Sequence, residues 1–419
     1  MKIGLYCDAW HIGGVAAYTE RLATGFADRE QEVFLIVGDP YHKRDAAGKT
    51  AYARLLATTR VPVLCLNLKA FHERERVRRA SECFVSLNCD ALVLSTHRSL
   101  SRCLPQLGQR SILIGIAHSD EPYYFEEFAE TFAQCDAYVA VSTSILDQLS
   151  RSISADTVTR LEHIPSGVPV PATLAAPAVS DPLRVLVACR LEQPQKRVRD
   201  LPEIWRCYRA AGGDGTLTIC GSGPCESELR RAFATEIATG RVTMPGAVPY
   251  ERMPEVFGRH DVFLSCSGHE GLPLAVLEAV THGLYPVLSR IRSGHVEITQ
   301  TLGVGELCNV GDTGGFARGL VRMERERPEL RSMRATIAAR AGAHFGLPRM
   351  VTDYLTLLSV LAGQPGRSRR GTIGHEGPAQ RRVHPLHRLW LKWKYSRHYG
   401  WPATPPPIHN PSSLPHGTL

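Results

Sequence analysis

Short apolar runs alternate with amphipathic stretches along most of the chain, and this alternation constrains the fold more than any other feature. Runs such as Lys2–Tyr6, Val33–Val37 and Ser111–Ile116 are long enough for a strand, and stretches such as 15–27 separate them. Fully apolar strands that alternate with helices are typical of parallel sheets covered by helices on both faces. The sequence therefore predicts an α/β fold built from repeated βαβ units.

The alternation pauses once, at residues 171–182, where prolines and alanines predict an extended linker. It restarts with a predicted strand over 183–188, a single helix over 226–239 and a strand over 262–265. The length of 419 residues also exceeds the roughly 250 to 300 at which one hydrophobic core stops growing. We therefore expect two Rossmann-like, doubly wound domains that face each other across a cleft. The expected units are an N-terminal domain at 1–170, the linker, a C-terminal domain at 183–345, a helix at 346–362 and a basic tail at 363–419.

The basic charge of the chain is concentrated in its tail. Nine of the 49 Lys and Arg residues and only one of the 41 acids lie after residue 363, so the rest of the chain carries no net charge. A neutral body argues against a nucleic-acid groove in the folded domains. We therefore expect no nucleic acid among the partners.

Within the tail, apolar side chains recur at helical spacing among basic residues: Leu386, Leu389, Trp390 and Trp393. A short basic helix with tryptophans is typical of segments that lie on an anionic membrane surface. The pattern therefore predicts that 383–401 contact such a surface, while an arm that packs on the first domain and plain disorder are the alternatives.

The compartment is also indicated by what the sequence lacks. No apolar run approaches the roughly 18 residues needed to span a bilayer, and the first run is too short for the core of a signal peptide. The 12 cysteines have no zinc-ligand spacing and suit the reduced thiols of the cytosol. We expect a cytoplasmic protein, with the tail as its contact to the inner face of the membrane.

Two glycine pairs follow predicted strands, where backbone N–H groups at a helix start can approach an anion. Gly13 and Gly14 follow the first strand, and Gly221 and Gly223 follow a strand in the second half. Neither pair has the G-x-G-x-x-G spacing of nicotinamide dinucleotide sites, which disfavours a dehydrogenase. The Gly13 and Gly14 loop is a candidate acceptor or phosphate loop, and a plain strand-to-helix turn is the alternative.

The strongest constellation contains two glutamates, Glu270 and Glu278. Pro273 suits the first position of a helix, which would leave Glu270 in the loop before it and Glu278 about one and a half turns inside. The N–H groups of Gly271 and Leu272 would then face a diphosphate at the helix start. The two carboxylates would serve different parts of one ligand; two ordinary surface or structural acids are the alternative.

The order of these motifs resembles the glycosyltransferase group 1 family, the retaining GT-B enzymes of glycosyltransferase family 4, over most of residues 1–360. The matching segments are Gly13-Gly14, His118, Val139–Ser142, His163–Val168, Arg190 to Lys196, Gly221–Pro224, Val242–Gly246, Ser267 to Gly283 and Ser293–Glu297. The resemblance implies the GT-B fold, an acceptor-binding first domain, a donor-binding second domain and a helix at 346–362 that crosses back to the first. It implies transfer of a sugar from a nucleoside diphosphate sugar to an acceptor hydroxyl with retained configuration.

For the donor diphosphate, the resemblance implies binding by Arg190 and Lys196 and by the N–H groups of Gly271 and Leu272. Two cations from one loop would neutralise a leaving group whose charge grows in the transition state. This loop departs from the family pattern, because it is one residue longer and Arg197 stands where glycine is usual. No D-x-D motif occurs in the sequence, so we expect metal-independent transfer with no cofactor beyond the donor substrate.

For the sugar and the ribose, the resemblance implies three further roles. Glu270 would bind hydroxyls of the donor sugar, and Glu278 would bind the nucleotide ribose. His118 would stand beside the donor sugar and act through positioning and electrostatics, so His118 and Glu270 are the predicted catalytic residues. With no residue placed as a nucleophile, front-face substitution is the favoured mechanism.

The sequence leaves the donor base, the sugar and the acceptor open. Leu272, Pro273 and Ser293–Val296 would select the sugar, and 41–53 and 121–130 are the predicted acceptor loops. The acceptor could be a glycan, a lipid-linked or a small molecule, and the tail and the family favour cell-surface polysaccharide or glycolipid assembly. The alternatives are a non-catalytic sugar-nucleotide-binding or scaffold subunit of a polysaccharide assembly complex and, among enzymes, an epimerase.

Overall fold

The computed structural model describes residues 1–10, 13–39, 46–68, 71–95, 100, 102–108, 110–121, 125, 131, 134–153, 159–175, 177, 181–292 and 294–364. Several predictions fall wholly or partly outside these residues. They are the membrane-contacting segment 383–401, Ser293, and parts of the predicted linker and of both acceptor loops.

Strands of the described residues form two sheets in which every pairing is parallel. The first sheet has the order β3-β2-β1-β4-β5-β6-β7, with β1 (Lys2–Ala9), β2 (Glu32–Asp39), β3 (Val63–Cys65), β4 (Ala91–Leu94), β5 (Ile112–Ala117), β6 (Ala137–Ala140) and β7 (Arg160–His163). The second has the order β10-β9-β8-β11-β12-β13, with β8 (Arg184–Ala188), β9 (Thr216–Cys220), β10 (Val242–Gly246), β11 (Val262–Ser265), β12 (Tyr285–Ser289) and β13 (Glu306–Cys308). We refer to the parts of the chain around these sheets as the first and second halves.

Helices of the described residues connect these strands. In chain order they are α1 (Gly14–Ala27), α2 (Ala46–Thr58), α3 (Glu73–Leu87), α4 (Leu104–Leu107), α5 (Thr143–Ser152), α6 (Leu201–Ala210), α7 (Glu226–Ala232), α8 (Ala234–Ala238), α9 (Met253–Gly258), α10 (Leu274–Thr281), α11 (Gly294–Leu302), α12 (Thr313–Arg325), α13 (Arg327–Ser332), α14 (Arg334–Phe345) and α15 (Leu347–Ala362). None is long and apolar enough to cross a bilayer.

The strand order places the ligand-binding edge of each sheet. Central strands such as β4 and β5 are buried along their whole length, as strands covered on both faces require. In each sheet the order reverses between two adjacent strands, β1 and β4 in the first and β8 and β11 in the second. Ligands of open α/β sheets bind outside the carboxyl ends of the strands at such a reversal.

Two local predictions differ from the structure. The single helix predicted over 226–239 is two short helices, α7 and α8, that meet at Phe233, whose side chain is buried. Pro273 is the residue before α10 and not its first residue, since its ψ of 111° is extended. Glu278 is consequently the fifth residue of α10, about one turn inside the helix instead of one and a half.

The last helix, α15, packs on α1 of the first half. The hydroxyl groups of Tyr18 and Tyr354 lie 2.7 Å apart and are hydrogen-bonded. A Cβ atom at Gly25 would collide with Val351, so glycine is needed for the helices to approach this closely. One continuous apolar core includes side chains of both halves, such as Leu277 of α10. Helix α1 is therefore held from the side of the second half as well as by its own sheet.

Candidate active site

The loops that follow β8 and β11 lie side by side at the strand reversal of the second sheet. Gly268 N, after β11, donates a hydrogen bond to Gln195 O, after β8, at 2.8 Å. The Cys266 thiol donates to the carbonyl oxygen of Arg197 at 3.4 Å, and the φ of Arg197, 49°, lies in the left-handed region. These contacts fix the two loops against each other, where the strand order predicts a ligand.

Lys196 and Glu270, one from each loop, form a buried ion pair. Lys196 Nζ donates to Glu270 Oε1 at 2.6 Å, and the two side chains are 16% and 7% exposed. Burial alone would raise the pKa of Glu270, but the charge of Lys196 and the side chains of His295 and Ser267 lower it below its usual value. The carboxylate is therefore ionised near pH 7 and can accept hydrogen bonds from hydroxyl groups.

His295 is a fully buried neighbour of this pair, which sequence reasoning named only within the predicted sugar-selecting segment 293–296. Its Nδ1 donates to the carbonyl oxygen of Ser289 at 2.9 Å, and its Nε2 makes no hydrogen bond within the described part of the chain. Burial lowers the pKa of His295 to about 4, so the ring is neutral near pH 7. The buried Nε2 lone pair is then an acceptor close to the carboxylate.

The loop before α10 is pressed between the two halves. A Cβ atom at Gly271 would collide with the carbonyl oxygen of His118, so this approach requires glycine. On the other side of the loop, Gly294 N donates to Gly271 O at 2.9 Å, and Leu272 is buried. The structure thus brings Gly271 of the second half into contact with His118 of the first.

His118 follows β5 and is held by an aromatic neighbour. Its ring stands edge-on to that of Tyr18, with 4.8 Å between ring centroids and 83° between planes. Its buried Nε2 makes no hydrogen bond to any residue that the structure describes. Burial lowers the pKa of His118 to about 3. The ring is therefore a neutral group in the working range of most enzymes, suited to positioning and not to carrying charge.

Two helices begin at the boundary between the halves. The residues that precede them, Gly13 for α1 and Pro273 for α10, supply no side-chain cap for their free N–H groups. A Cβ atom at Gly14 would lie 3.9 Å from Leu274, the first residue of α10. Helix starts carry partial positive charge and free donors, so an anion between them would be stabilised from both sides.

Glu278 forms an ion pair that sequence reasoning missed. Arg21 of α1 donates to its carboxylate, and the side chains are 9% and 13% exposed. The ring of Tyr250 lies over the guanidinium, 5.1 Å from Arg21 Cζ to the ring centroid. Burial raises the pKa of Glu278, and Arg21 opposes this without reversing it. No sequence pattern pointed to Arg21, because its partner lies in the other half of the molecule.

Arg190 stands apart from the other predicted residues. Its side chain is 55% exposed, pairs with Glu192 at 2.8 Å and donates to Gln195 Oε1 at 3.1 Å. The structure therefore gathers Lys196, the loop before α10 and His118 in one place, and leaves Arg190 at the rim.

Further polar contacts join the halves beside these residues. Glu297 of α11 accepts from Thr143 N, at the start of α5, at 2.7 Å and pairs with His163 at 3.0 Å. His269 lies 3.3 Å from Glu121 of the first half. In the sequence, Glu297, His269 and His163 lie inside matched motifs and Glu121 begins a predicted acceptor loop, but none of these positions indicated a partner.

Across the described ranges, no group of three or more His, Cys, Asp or Glu side chains could hold a metal ion. Metal-independent transfer stays a prediction.

The sequence of the chain is similar to those of known protein families and of characterised enzymes. Residues 182–326 match the family Glycosyl transferases group 1, and residues 12–170 match Glycosyltransferase Family 4. The lipopolysaccharide 1,6-galactosyltransferase of Escherichia coli K12 is 26% identical over 199 residues, which cover 46% of this chain and 53% of that protein. The chain spans about half the length of the first curated relatives it matches.

Two solved structures show the fold. The Anabaena protein HepE in complex with UDP matches with a TM-score of 0.67 at 17% identity, over 86% of this chain and all of that one. The pneumococcal O-GlcNAc transferase in complex with UDP and GlcNAc matches with a TM-score of 0.69 at 13% identity, over 87% and 99%. The predicted α/β architecture, two Rossmann-like sheets of the GT-B type, is confirmed.

Proposed function

Because the chain belongs to the group 1 glycosyltransferases of family 4, we propose that it transfers a sugar from a nucleoside diphosphate sugar to an acceptor hydroxyl with retained anomeric configuration. The observation that carries this proposal is the buried Lys196–Glu270 pair beside the loop that touches His118. A cation next to an ionised carboxylate suits the two ends of a sugar phosphate. The cation meets the phosphate, and the carboxylate accepts from sugar hydroxyls.

The proposed reaction is a front-face substitution. The acceptor oxygen bonds to the anomeric carbon while the bond from that carbon to the diphosphate oxygen breaks, and the acceptor proton passes to the departing phosphate. Lys196 and the start of α10 stabilise the charge that grows on the phosphate. Neutral His118 positions the sugar, and Glu270 holds its hydroxyls. These contacts stabilise the transition state more than the bound substrate, and this difference accelerates the chemical step.

The remaining predicted residues complete the donor site. Glu278 binds the ribose, and Gly271 and Leu272 offer N–H groups to the diphosphate. Arg190 binds the diphosphate after its side chain, which is more than half exposed, changes rotamer. On the facing side, Gly13 precedes α1 and Gly14 is its first residue, and they form the proposed acceptor or phosphate loop.

The donor is proposed to carry uridine. Support comes from the two matching structures named above, both of which are UDP complexes. The acceptor is proposed to be a cell-surface glycan, since the matching Escherichia coli enzyme is a lipopolysaccharide galactosyltransferase. A lipid-linked or small-molecule acceptor is the alternative that an acceptor screen separates.

The test is acceptor-dependent turnover by the full chain. UDP-glucose, UDP-galactose and UDP-N-acetylglucosamine are offered with lipopolysaccharide core oligosaccharides, and UDP release and product are measured. We expect one donor to give product whose anomeric proton shows the configuration of the donor. Glu270→Gln should abolish the product, while Glu203→Gln, which changes an exposed carboxylate paired with Arg206 on α6, should not.

Other outcomes would point to the alternatives. Nucleotide binding without product for any acceptor would favour a non-catalytic subunit. A changed sugar nucleotide in the absence of acceptor would favour an epimerase. Product with inverted configuration would overturn retention while leaving transfer intact.

The tail gives a separate proposal, that 383–401 bind an anionic membrane surface, and its support is the sequence alone. The full chain should sediment with vesicles of anionic phospholipid, and a chain ending at Ala362 should not. Equal sedimentation of the two chains would contradict this role, and a variant with Trp390→Ala and Trp393→Ala should lie between them.

A further inference from the structure

Helix α1 presents one face to functional groups outside its own sheet. Gly14, Tyr18, Arg21 and Gly25 are spaced by four, three and four residues, so they share a face of the helix. Gly14 lies next to Leu274 at the start of α10, and Tyr18 packs on the ring of His118. Arg21 pairs with the carboxylate of Glu278, and Gly25 lies against Val351 of α15. Arg21 is the one cation on this face, and its partner is the carboxylate proposed to bind ribose.

The Arg21–Glu278 pair is buried, and each member favours the charged form of the other. Burial would lower the pKa of Arg21, but the carboxylate of Glu278 and the hydroxyl of Tyr250 raise it. A carboxylate in such a place needs a donor, because a buried charge without one is costly. Arg21 is that donor, and it reaches Glu278 from the opposite half of the molecule.

Arg21 is incompletely satisfied in this position. Its Nη1 is buried and makes no hydrogen bond to any described residue. The ring of Tyr250 covers the guanidinium on one side. A buried donor left unpaired loses the hydrogen bond that it makes with water in the unfolded chain. The guanidinium would therefore be better satisfied in a place where all its donors are bonded, and Glu278 and Tyr250 are the contacts that hold it here.

We propose that Arg21 and the nucleotide ribose compete for one carboxylate: the guanidinium pairs with Glu278, and the ribose hydroxyls displace it when the donor binds. This inference rests on the proposed function, which assigns Glu278 to the ribose. Both groups donate hydrogen bonds to the same carboxylate, Arg21 through one guanidinium nitrogen and a ribose through its two vicinal hydroxyls. The ribose thereby replaces a bond between the halves with one inside the second half.

The chain offers a matched control. Arg54 of α2 also joins the halves, through Glu251 at 3.1 Å, and pairs with Glu20 at 2.9 Å. Its side chain is 39% exposed and does not contact Glu278. Arg54→Gln therefore removes a cation that crosses the same boundary without freeing the ribose carboxylate.

The experiment compares UDP with 2′,3′-dideoxy-UDP, which lacks both ribose hydroxyls. Calorimetric Kd values are measured for the wild-type chain, Arg21→Gln, Arg21→Lys and Arg54→Gln. Without Arg21 to displace, UDP should bind about tenfold more tightly, whereas the dideoxy compound cannot use the freed carboxylate and should change less than about twofold. The preference for UDP should therefore rise about tenfold in Arg21→Gln, rise less in Arg21→Lys and stay unchanged in Arg54→Gln.

Two results would overturn the inference, and they differ from each other. Tight UDP binding with an unchanged or reduced preference in both Arg21 variants would show that ribose does not displace Arg21, while the proposed function would stand. No binding of UDP, GDP, ADP or CDP by the wild-type chain or any variant would overturn the proposed function and the inference with it. If Arg21→Gln does not fold, the preference measured for Arg21→Lys against Arg54→Gln decides.

Discussion

The two glutamates of one motif, Glu270 and Glu278, are both buried and both paired with a cation, yet their partners come from different halves of the molecule. Glu270 pairs with Lys196 of its own half, and Glu278 pairs with Arg21 of the other. The pKa of Glu270 is lowered, because its neighbours together outweigh burial, whereas that of Glu278 is raised, because a single cation does not.

This difference separates the two proposed roles of the motif, which are binding of the sugar and phosphate at Glu270 and binding of the ribose at Glu278. The Lys196–Glu270 pair is assembled from two loops of one sheet, so its two partners need no contact with the other half, although His118 reaches this end from there. The Glu278 end is complete only where the halves meet. The sugar and phosphate end is thus preorganised for chemistry, and the ribose end depends on how the two halves are joined.

The largest expected effect is on stability, from breaking the pair between the halves. Removing one partner of a buried ion pair costs about 3 to 5 kcal/mol, because it leaves a buried charge without compensation. Arg21→Ala should lower the free energy of unfolding by that amount in urea denaturation. Adding Glu278→Leu should restore most of it, since the pair can be replaced by apolar groups at little cost.

The control for this prediction is Arg54→Ala, which removes a more exposed cation between the same halves. It should cost less than about 1 kcal/mol, as partly exposed pairs do. Equal losses for Arg21→Ala and Arg54→Ala, or a double variant whose loss is the sum of its singles, would contradict the buried-pair account.

The next effect is on catalysis, from breaking the pair inside the second half. If Lys196 stabilises the transition state by about 3 kcal/mol, Lys196→Ala should lower kcat about 10²-fold. Steady-state UDP release with saturating donor measures this. Arg199→Ala, which removes an exposed cation three residues further along the same segment, should leave kcat within about twofold of wild type. A normal kcat for Lys196→Ala would remove this cation from the reaction.

Most of the fold could be predicted from the sequence. The strand predicted over 262–265 has those bounds in the structure, because strands covered on both faces are mainly apolar. The single helix predicted over 226–239 was wrong, since the backbone of Phe233 departs from helical geometry, with a φ of −100° and a ψ of 16°. Leu229 and Phe233 are both buried at helical spacing, so the periodicity gave no signal of this break.

The candidate site was predictable only where both partners lie in one sheet. Lys196 and Glu270 follow adjacent strands, so their ends had to meet. Arg21 and Thr143 were missed as partners of Glu278 and Glu297, because contacts between halves depend on how the two sheets face each other. The exposure of Arg190 was unforeseen for a simpler reason, since Glu192 lies nearby and competes for its charge.

A smaller effect concerns pH, and the two glutamates should show opposite signs. A glutamate whose pKa is lowered by folding contributes stability that is lost as the pH falls through the lowered value. The free energy of unfolding of the wild type should therefore exceed that of Glu270→Gln by less and less below about pH 4.3. A glutamate whose pKa is raised contributes stability that is lost as the pH rises through the raised value. The wild-type advantage over Glu278→Gln should therefore shrink as the pH rises above about 4.3.

These curves are measured as differences in the free energy of unfolding between about pH 3.5 and 7, with about 1.4 kcal/mol expected for each unit of pKa shift. Parallel curves for the two variants would mean that both carboxylates feel the same environment. The distinction between a pair within one half and a pair between halves would then have no electrostatic consequence.

The smallest expected effect is an absence of titration at His118. With its pKa lowered to about 3 by burial, the ring should stay neutral from about pH 5 to 8, where an unperturbed histidine titrates near 6.5. In the wild-type chain with ¹³C-labelled histidine, the resonance that disappears in His118→Asn should keep a constant shift across that range. The variant should have a lower kcat but a pH profile of the same shape, since a positioning residue contributes contacts and no proton. A midpoint near 6.5 for that resonance, together with its loss from the rate profile in His118→Asn, would make His118 a proton carrier. The first half would then supply charge to the reaction as the second half does through Lys196.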